Sequence, residues 1–300
     1  MRDIVVGVEE SGSERVLDRA IEEAEERHCG LRVVRAWTTP VWPDVWPQHG
    51  GLAPEAAETQ ATVRREVAEL VAKALVRARD PQSLRVHIEI PEGSAGPALV
   101  REAEDAAVLV VGGKGRSALA SALLGSTTTY VLHHTTAPVM VVPTHAETTE
   151  PPRHVVVGVD GSPASRSALR WAAATSRRIG CPLEVVHGWL VSRYPDGPPM
   201  TYVPPAREYE DMAAQWLASE IAEVLPPASA DRARPRLLHS EPAAALLQAC
   251  SPRDLLVVGS RGHGGFAGLL LGSVASQCAQ HTSAPVVVVR AGEERLGEAS

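Results

Sequence analysis

The segment Leu255–Val289, LLVVGSRGHGGFAGLLLGSVASQCAQHTSAPVVVV, contains the pattern that decides the fold of this chain. It begins with a short apolar run, continues through a glycine-rich loop over Gly259–Gly268, and ends in a second apolar run, Val286–Val289. A helix is predicted to begin at Gly272-Ser273, between the loop and the last run. The segment therefore predicts a buried strand, a loop, a helix and a second buried strand.

A near copy of this segment, VLVVGGKGRSALASALLGSTTTYVLHHTTAPVMVV, occupies Val108–Val142. Both copies have two glycines three positions apart, followed after nine residues by a Gly-Ser pair. In the first copy these residues are Gly112, Gly115, Gly125 and Ser126, and in the second they are Gly259, Gly262, Gly272 and Ser273. The repetition indicates that the chain uses one structural device twice.

The chemistry that such a loop offers is anion binding. Glycines lack a Cβ atom and let backbone N–H groups approach an oxyanion closely. The following helix adds its unpaired N-terminal N–H groups and the positive end of its dipole. Ser126 and Ser273 can donate a hydroxyl, and Lys114 and Arg261 place a cation in each loop. The alternative is a connection that merely turns the chain, and the identical spacing of the two copies argues against it.

The composition of the 300-residue chain suits two domains of common size. Its formal net charge is -7 with charges of mixed sign, which argues against a general affinity for nucleic acid. No apolar run is long enough to span a bilayer, so we expect no membrane segment. The four cysteines show no CxxC spacing and are predicted to be buried thiols in a reducing cytoplasm, with a disulfide as the lesser alternative.

Apolar runs alternate with helical patterns in the same order in both halves of the chain. Ile4–Glu9 matches Val155–Asp160 as the first strand, and Leu31–Trp37 matches Leu183–Trp189 as the second. Continuous apolar strands separated by helices are typical of a parallel sheet that is covered on both faces. We therefore predict an α/β fold built on parallel sheets.

The polar segment Glu147–Arg153, stiffened by Pro151-Pro152, separates the two halves. We predict one domain over residues 1–146 and a second over residues 153–291. Each domain contains a long proline-rich loop, Thr38–Pro54 or Leu190–Pro205, of a length typical of lids and partner surfaces.

In parallel sheets of this kind, ligands bind beyond the carboxyl ends of the strands, where the strand order reverses. The first strand ends at Glu9 or Asp160, and the fourth ends at Gly112 or Gly259. If these strands are neighbours, a carboxylate that can accept from ribose hydroxyls faces the same pocket as a phosphate-binding loop. The alternative for Asp160 is a local cap of the following turn, because Asp-Gly-Ser is good turn chemistry.

These residues resemble the universal stress protein family in its tandem two-domain form, over nearly the whole chain. The resemblance rests on the two glycine motifs, on VVGVDGS at Val156–Ser162, and on the Ala-Pro-Val strand starts at Ala137 and Ala284. It implies, in each domain, an open five-stranded parallel sheet of the nucleotide-binding, Rossmann-like type with helices on both faces. It also implies an internal pseudo-dimer of the two domains, and it leaves a homodimer open.

The ATP-binding branch of that family implies a nucleotide site in each domain, where the glycines and the Gly-Ser pair hold phosphates and the acid after the first strand contacts the ribose. The matching residues are Asp160, Gly259, Gly262, Gly272 and Ser273 in the second domain, and Glu9, Gly112, Gly115, Gly125 and Ser126 in the first. Glu9 departs from the usual Asp, whereas Thr128 keeps a second hydroxyl that Ala275 lacks. We expect the second pocket to bind ATP at least as tightly as the first.

The sequence and the resemblance together predict a cytoplasmic ATP-binding stress-response protein, a nucleotide-gated regulatory or interaction module with unidentified protein partners. ATP can carry Mg²⁺ on its phosphates, and no His, Cys or Asp spacing predicts another metal site. No catalytic residue is predicted, because nothing supplies an evident base beside the phosphates. The alternatives are a slow ATPase or phosphotransferase, and an interaction module with vestigial nucleotide pockets.

Overall fold

The computed structural model of the protein describes residues 2–10, 12–38, 54–113, 124–143, 152–190, 206–263 and 271–292. The chain divides into two compact units, Met1–Thr149 and Glu150–Ser300. Lys114, Gly115 and most of each proline-rich loop lie outside the described residues.

The first domain alternates strands with helices along its described residues. Its strands are β1 (Ile4–Gly7), β2 (Leu31–Val34), β3 (Val86–Glu89), β4 (Val108–Gly112) and β5 (Val139–Val142). Its helices are α1 (Glu14–Arg27), α2 (Pro54–Leu75), α3 (Ala95–Glu102) and α4 (Ser126–His134). The strands form a parallel sheet in the order β3-β2-β1-β4-β5, in which Ile4 lies between Leu31 and Val108.

The second domain repeats this arrangement. Its strands are β6 (Val155–Gly158), β7 (Leu183–Gly188), β8 (Ala233–Leu238), β9 (Leu255–Gly259) and β10 (Val286–Val289). Its helices are α5 (Pro163–Ile179), α6 (Ala206–Val224), α7 (Pro227–Ala230), α8 (Pro242–Ala249) and α9 (Ser273–His281). The order is β10-β9-β6-β7-β8, again with parallel pairs. The predicted fold of two five-stranded parallel sheets is confirmed, and the first and fourth strands of each domain are neighbours.

Burial explains why the central strands are unbroken apolar runs. Ile4–Val6 in β1 and Val155–Val157 in β6 have no exposed surface, because helices cover both faces of each sheet. Burying one such side chain stabilises the fold by roughly 1.5–3 kcal/mol. The edge strand β3, by contrast, alternates half-buried with exposed residues.

The starts of the first helix in the two domains differ. Ser162 Oγ accepts a hydrogen bond from Ser165 N–H at 3.2 Å, and Pro163 is the first residue of α5. Ser13 is the N-cap residue of α1, but its side chain has a different partner. Its Oγ accepts from the N–H of Glu9 at 2.7 Å and makes no cap bond to the helix.

The cysteines follow the prediction with one exception. Cys29, Cys181 and Cys278 are buried, whereas Cys250 is only partly buried because it lies just after α8. Burial raises the pKa of the Cys278 thiol to about 12, and the pKa of Cys250 is raised to about 12 by the same cause. Among the helices that the structure describes, none is both long enough and apolar enough to cross a membrane.

Gly259 packs directly against the first turn of α5. A Cβ atom there would lie 2.7 Å from the carbonyl carbon of Ala164 and from the amide nitrogen of Ser165. Because these are backbone atoms, Gly259→Ala must displace the helix, and we expect it to lower the free energy of unfolding by about 1–3 kcal/mol. The matched control is Gly113→Ala, whose Cβ would meet Val141 Cγ1 at 3.6 Å, an ordinary contact. Urea unfolding measures both variants, and equal stabilities would contradict this account.

Candidate functional site

The crevice at the carboxyl ends of β1 and β4 is the point where the strand order of the first domain reverses. After β1 the chain continues to β2 on one side, and after β4 it continues to β5 on the other. Because parallel crossovers are right-handed, α1 and α4 lie on opposite faces of the sheet, and the crevice opens between their starts. The carboxyl ends of β6 and β9 have the same relation in the second domain.

A pocket of about 550 Å³, counted to its open mouth, occupies this position in the first domain. Its lining comes from the carboxyl ends of β1, β2 and β4 and from the starts of α1, α3 and α4. The lining residues include Gly7, Glu9, Ser13, Leu99, Gly112 and Thr128. Glu9 is exposed, and it shares the pocket with Gly112.

Helix α4 begins at the edge of this pocket. Gly125 is its N-cap residue, and Ser126, its first residue, is exposed. Gly125 has no side chain to cap the helix, so within the described part of the chain the first-turn N–H groups have no side-chain cap and can donate to an anion. The N–H of Gly125 donates to the carbonyl oxygen of Gly113 at 3.0 Å, which holds the start of α4 against the end of β4.

Thr128 was expected to offer a second hydroxyl to a ligand of the first domain. It is buried, and its Oγ1 donates to the carbonyl oxygen of Gly112 at 2.6 Å. The hydroxyl proton therefore ties α4 to the end of β4. The sequence suggested that Thr128 gives the first domain a ligand contact that Ala275 cannot give the second. The structure removes this advantage.

Helix α9 begins in the same way in the second domain. Gly272 is the N-cap residue and donates its N–H to the carbonyl oxygen of Ser260 at 2.7 Å. A Cβ atom on Gly272 would lie 3.3 Å from that oxygen and from Cα of Arg261, so glycine lets the helix start lie close to the loop. Ser273, the first residue of α9, is exposed. No side chain of the described residues caps α9, so the Ser273 hydroxyl and the first-turn N–H groups are donors of the kind that an anion can accept from.

Asp160 anchors the loop that follows β9. Its Oδ1 accepts from the N–H of Ser162 at 3.0 Å, and its Oδ2 accepts from the N–H of His263 at 3.3 Å. The first bond is the local turn cap that the sequence offered as an alternative reading. The second bond joins residues that lie far apart in the sequence, and it connects the ends of β6 and β9.

The same hydrogen bonds keep Asp160 ionised. Burial alone would raise the pKa of Asp160, but hydrogen bonds from Ser162, Ser165 and the N–H of His263 outweigh burial and lower that pKa below its ordinary value. The residue remains exposed, and each carboxylate oxygen has a further lone pair for a ligand hydroxyl. Asp160 therefore acts as a turn cap while part of its carboxylate stays exposed to solvent.

Two further contacts close the loop onto this carboxylate. Ser162 Oγ donates to the carbonyl oxygen of Arg261 at 3.1 Å. Gly262 lies against Asp160 so closely that a Cβ atom would overlap Oδ2. The Ser162 bond was missed by sequence reasoning, and the Asp-Gly-Ser turn next to β6 is the signal from which it could have been suspected.

The structure brings Asp160, Gly262, Gly272 and Ser273 to one edge of the second domain. Gly259 belongs to the same edge, and the position of its missing Cβ atom faces the backbone of Ala164 and Ser165 in α5. In the first domain Glu9, Gly112, Gly125 and Ser126 have corresponding places. Gly115 lies outside the described residues.

Comparisons with known proteins agree over both domains. The sequence model of the Universal stress protein family matches residues 1–143 and 152–290. A universal stress protein of Mycolicibacterium smegmatis is 38% identical over 215 residues, which cover 70% of this chain and 71% of that protein. A universal stress protein of Mycobacterium tuberculosis is 33% identical, covering 96% of this chain and 94% of that protein. The crystal structure of a universal stress protein from Archaeoglobus fulgidus has the same fold, with a TM-score of 0.66 and 19% identity over 97% of this chain and 98% of that chain.

The Asp160 anchor predicts a pH-dependent contribution to stability. A carboxylate whose folded pKa lies below its unfolded value of about 3.9 stabilises the fold above that pH, and the contribution is lost as the pH falls through the folded pKa. We therefore expect Asp160→Asn to be less stable than the parent near pH 7, and the difference to shrink below about pH 4. Urea unfolding across this range measures it. A stability difference that is the same at both ends of the range would rule out an ionised anchor.

Proposed function

Because the chain belongs to the universal stress protein family, we propose that it is a cytoplasmic ATP-binding stress-response protein. Each domain would hold one nucleotide at the crevice between its first and fourth strands. The bound nucleotide would gate contact with a protein partner, so that the chain acts as a regulatory or interaction module. The internal pseudo-dimer of the two domains that the family resemblance implies belongs to the same proposal.

One observation supports this function above the others: Gly262 lies against both Asp160 and Gly272, the N-cap residue of α9, so the start of this helix is near the carboxylate. The exposed hydroxyl of Ser273 and the first-turn N–H groups of α9 suit phosphate oxygens. Asp160 suits the hydroxyls of a ribose, because its oxygens retain free lone pairs. A ligand that carries both groups is a nucleoside phosphate, and Mg²⁺ would travel with its phosphates.

The contacts of Asp160 also suggest how a nucleotide could act as a gate. The same carboxylate accepts a hydrogen bond from His263 and would accept another from the ribose. Nucleotide binding is therefore coupled to the position of the loop at Arg261–His263. Because this loop is exposed, a change in its position can be sensed by a partner.

Slow ATP hydrolysis is the second candidate function, and His263 is the observation in its favour. Its Nε2 lies 3.5 Å from the position that a Cβ atom on Gly161 would occupy, and Gly161 directly follows Asp160. The imidazole is therefore near the site. An imidazole can act as a general base at neutral pH. Incubation with ATP for hours distinguishes the two functions, because a binding module leaves ATP intact and a hydrolase forms ADP at a rate that falls in His263→Gln.

The phosphate assignment predicts the effect of removing one hydroxyl. We expect Ser273→Ala to weaken ATP binding to the second domain by about tenfold or more, because a hydrogen bond to a charged group is worth about 1.5–3 kcal/mol. Ser126→Ala should have the corresponding effect on the first domain. Isothermal titration calorimetry on the full chain measures both sites.

Ser276→Ala is the matched control for Ser273→Ala. Ser276 lies one turn further along α9, and its Oγ accepts from Nε2 of Gln280 at 3.0 Å. We expect its ATP affinity to match that of the parent. If Ser273→Ala and Ser276→Ala both bind like the parent, the start of α9 is not the phosphate site.

A further inference from the structure

Trp216 places a large aromatic surface beside the ribose position of the second domain. It lies on α6 and is 36% exposed. Its Cζ2 lies 3.2 Å from where a Cβ atom on Gly161 would be, and Gly161 directly follows Asp160. Gly161 has a φ of 81°, a conformation that glycine adopts without strain, and the absence of a Cβ lets the indole approach the backbone.

The imidazole of His187 packs against the indole of Trp216. The two rings lie 4.5 Å apart between centroids and are tilted by 50°. His187 Nδ1 donates to the carbonyl oxygen of Val159 at 2.9 Å, which fixes the imidazole at the carboxyl end of β7. A fixed imidazole holds Trp216 in one position, so the exposed part of the indole is preorganised.

The order of the strands indicates which part of a bound nucleotide would meet the indole of Trp216. Phosphates at the start of α9 lie after β9, and a ribose at Asp160 lies after β6. The next strand in that direction is β7, where His187 and Trp216 meet. A nucleotide that spans the first two positions therefore extends its base toward the indole.

The first domain has a different pair at the matching position. Arg35 follows Val34 in the first domain, and His187 follows Val186 in the second. The two valines correspond, because the carbonyl oxygen of each accepts a hydrogen bond from the N–H of the residue just before Glu9 or Asp160. Glu66 precedes the buried Val67 as Trp216 precedes the buried Leu217. Arg35 Nη1 and Glu66 Oε2 form an ion pair at 2.9 Å. An aromatic pair in one domain thus replaces a charged pair in the other.

We propose that Trp216 is the base-stacking residue of the second domain, which makes that site selective for ligands with an aromatic base. The proposal rests on the proposed nucleotide function and adds a binding residue that differs between the domains. Stacking accepts any base with a π-face, so the ligand class is nucleoside phosphates, with purines favoured by their larger ring. The first domain, with Arg35 and Glu66, lacks this stacking surface at the matching position.

The test compares ATP with inorganic tripolyphosphate, which carries the phosphates without a base. Calorimetry on the full-length Trp216→Ala protein should show one ATP site weakened on the order of tenfold to a hundredfold, with the other site unchanged. Tripolyphosphate affinity should be unchanged. Trp216→Phe should recover most of the ATP affinity, because phenylalanine keeps an aromatic face. Met212→Ala, one turn earlier on α6 and 66% exposed, is the control and should bind ATP like the parent.

The outcomes separate this inference from the function on which it rests. Unchanged ATP affinity in Trp216→Ala overturns the stacking role while leaving the nucleotide site intact. An equal loss of ATP and tripolyphosphate affinity also overturns it, because the substitution would then have disturbed the phosphate site. If the parent protein binds no nucleotide in either domain, both the proposed function and the stacking role are wrong.

Discussion

The hydrogen bond that Asp160 accepts from the N–H of His263 connects the ends of β6 and β9, and the second domain's site depends on this connection. A parallel sheet brings the two strand ends side by side, but its backbone ladder stops where the strands stop. Beyond that point individual backbone bonds and side-chain contacts position the chain. Asp160 does so from one strand end, and Gly262 allows the opposing loop to reach it because it has no Cβ atom.

The two domains share one fold but carry different side chains at the carboxyl ends of their strands. Strand order, register and the glycine that opens the last helix are shared. In the first domain, Thr128 ties α4 to Gly112, and an ion pair stands after β2. In the second domain, the tilted ring pair of His187 and Trp216 takes the place of that ion pair. A tandem chain of this kind can therefore keep two similar crevices and give them different ligand preferences.

Much of the fold could be predicted because it depends on local patterns. Continuous valine runs predicted the strands, since this signal lies within the few residues that it specifies. The order of the strands could not be predicted in the same way, because apolar runs do not encode which strands are neighbours. The role of Thr128 was misjudged, since a hydroxyl has several partners within reach and only the packed structure selects one. The contact between Trp216 and His187 joins distant segments, and no periodicity in the sequence indicates it.

The most direct test of this account is a crystal structure of the full chain grown with ATP. The account predicts triphosphate oxygens within about 3 Å of Ser273 Oγ and of the first-turn N–H groups of α9. The ribose hydroxyls should meet Asp160 while its bond to His263 is kept or replaced. A triphosphate bound away from the start of α9, with Asp160 contacting only its own turn and loop, would contradict the account.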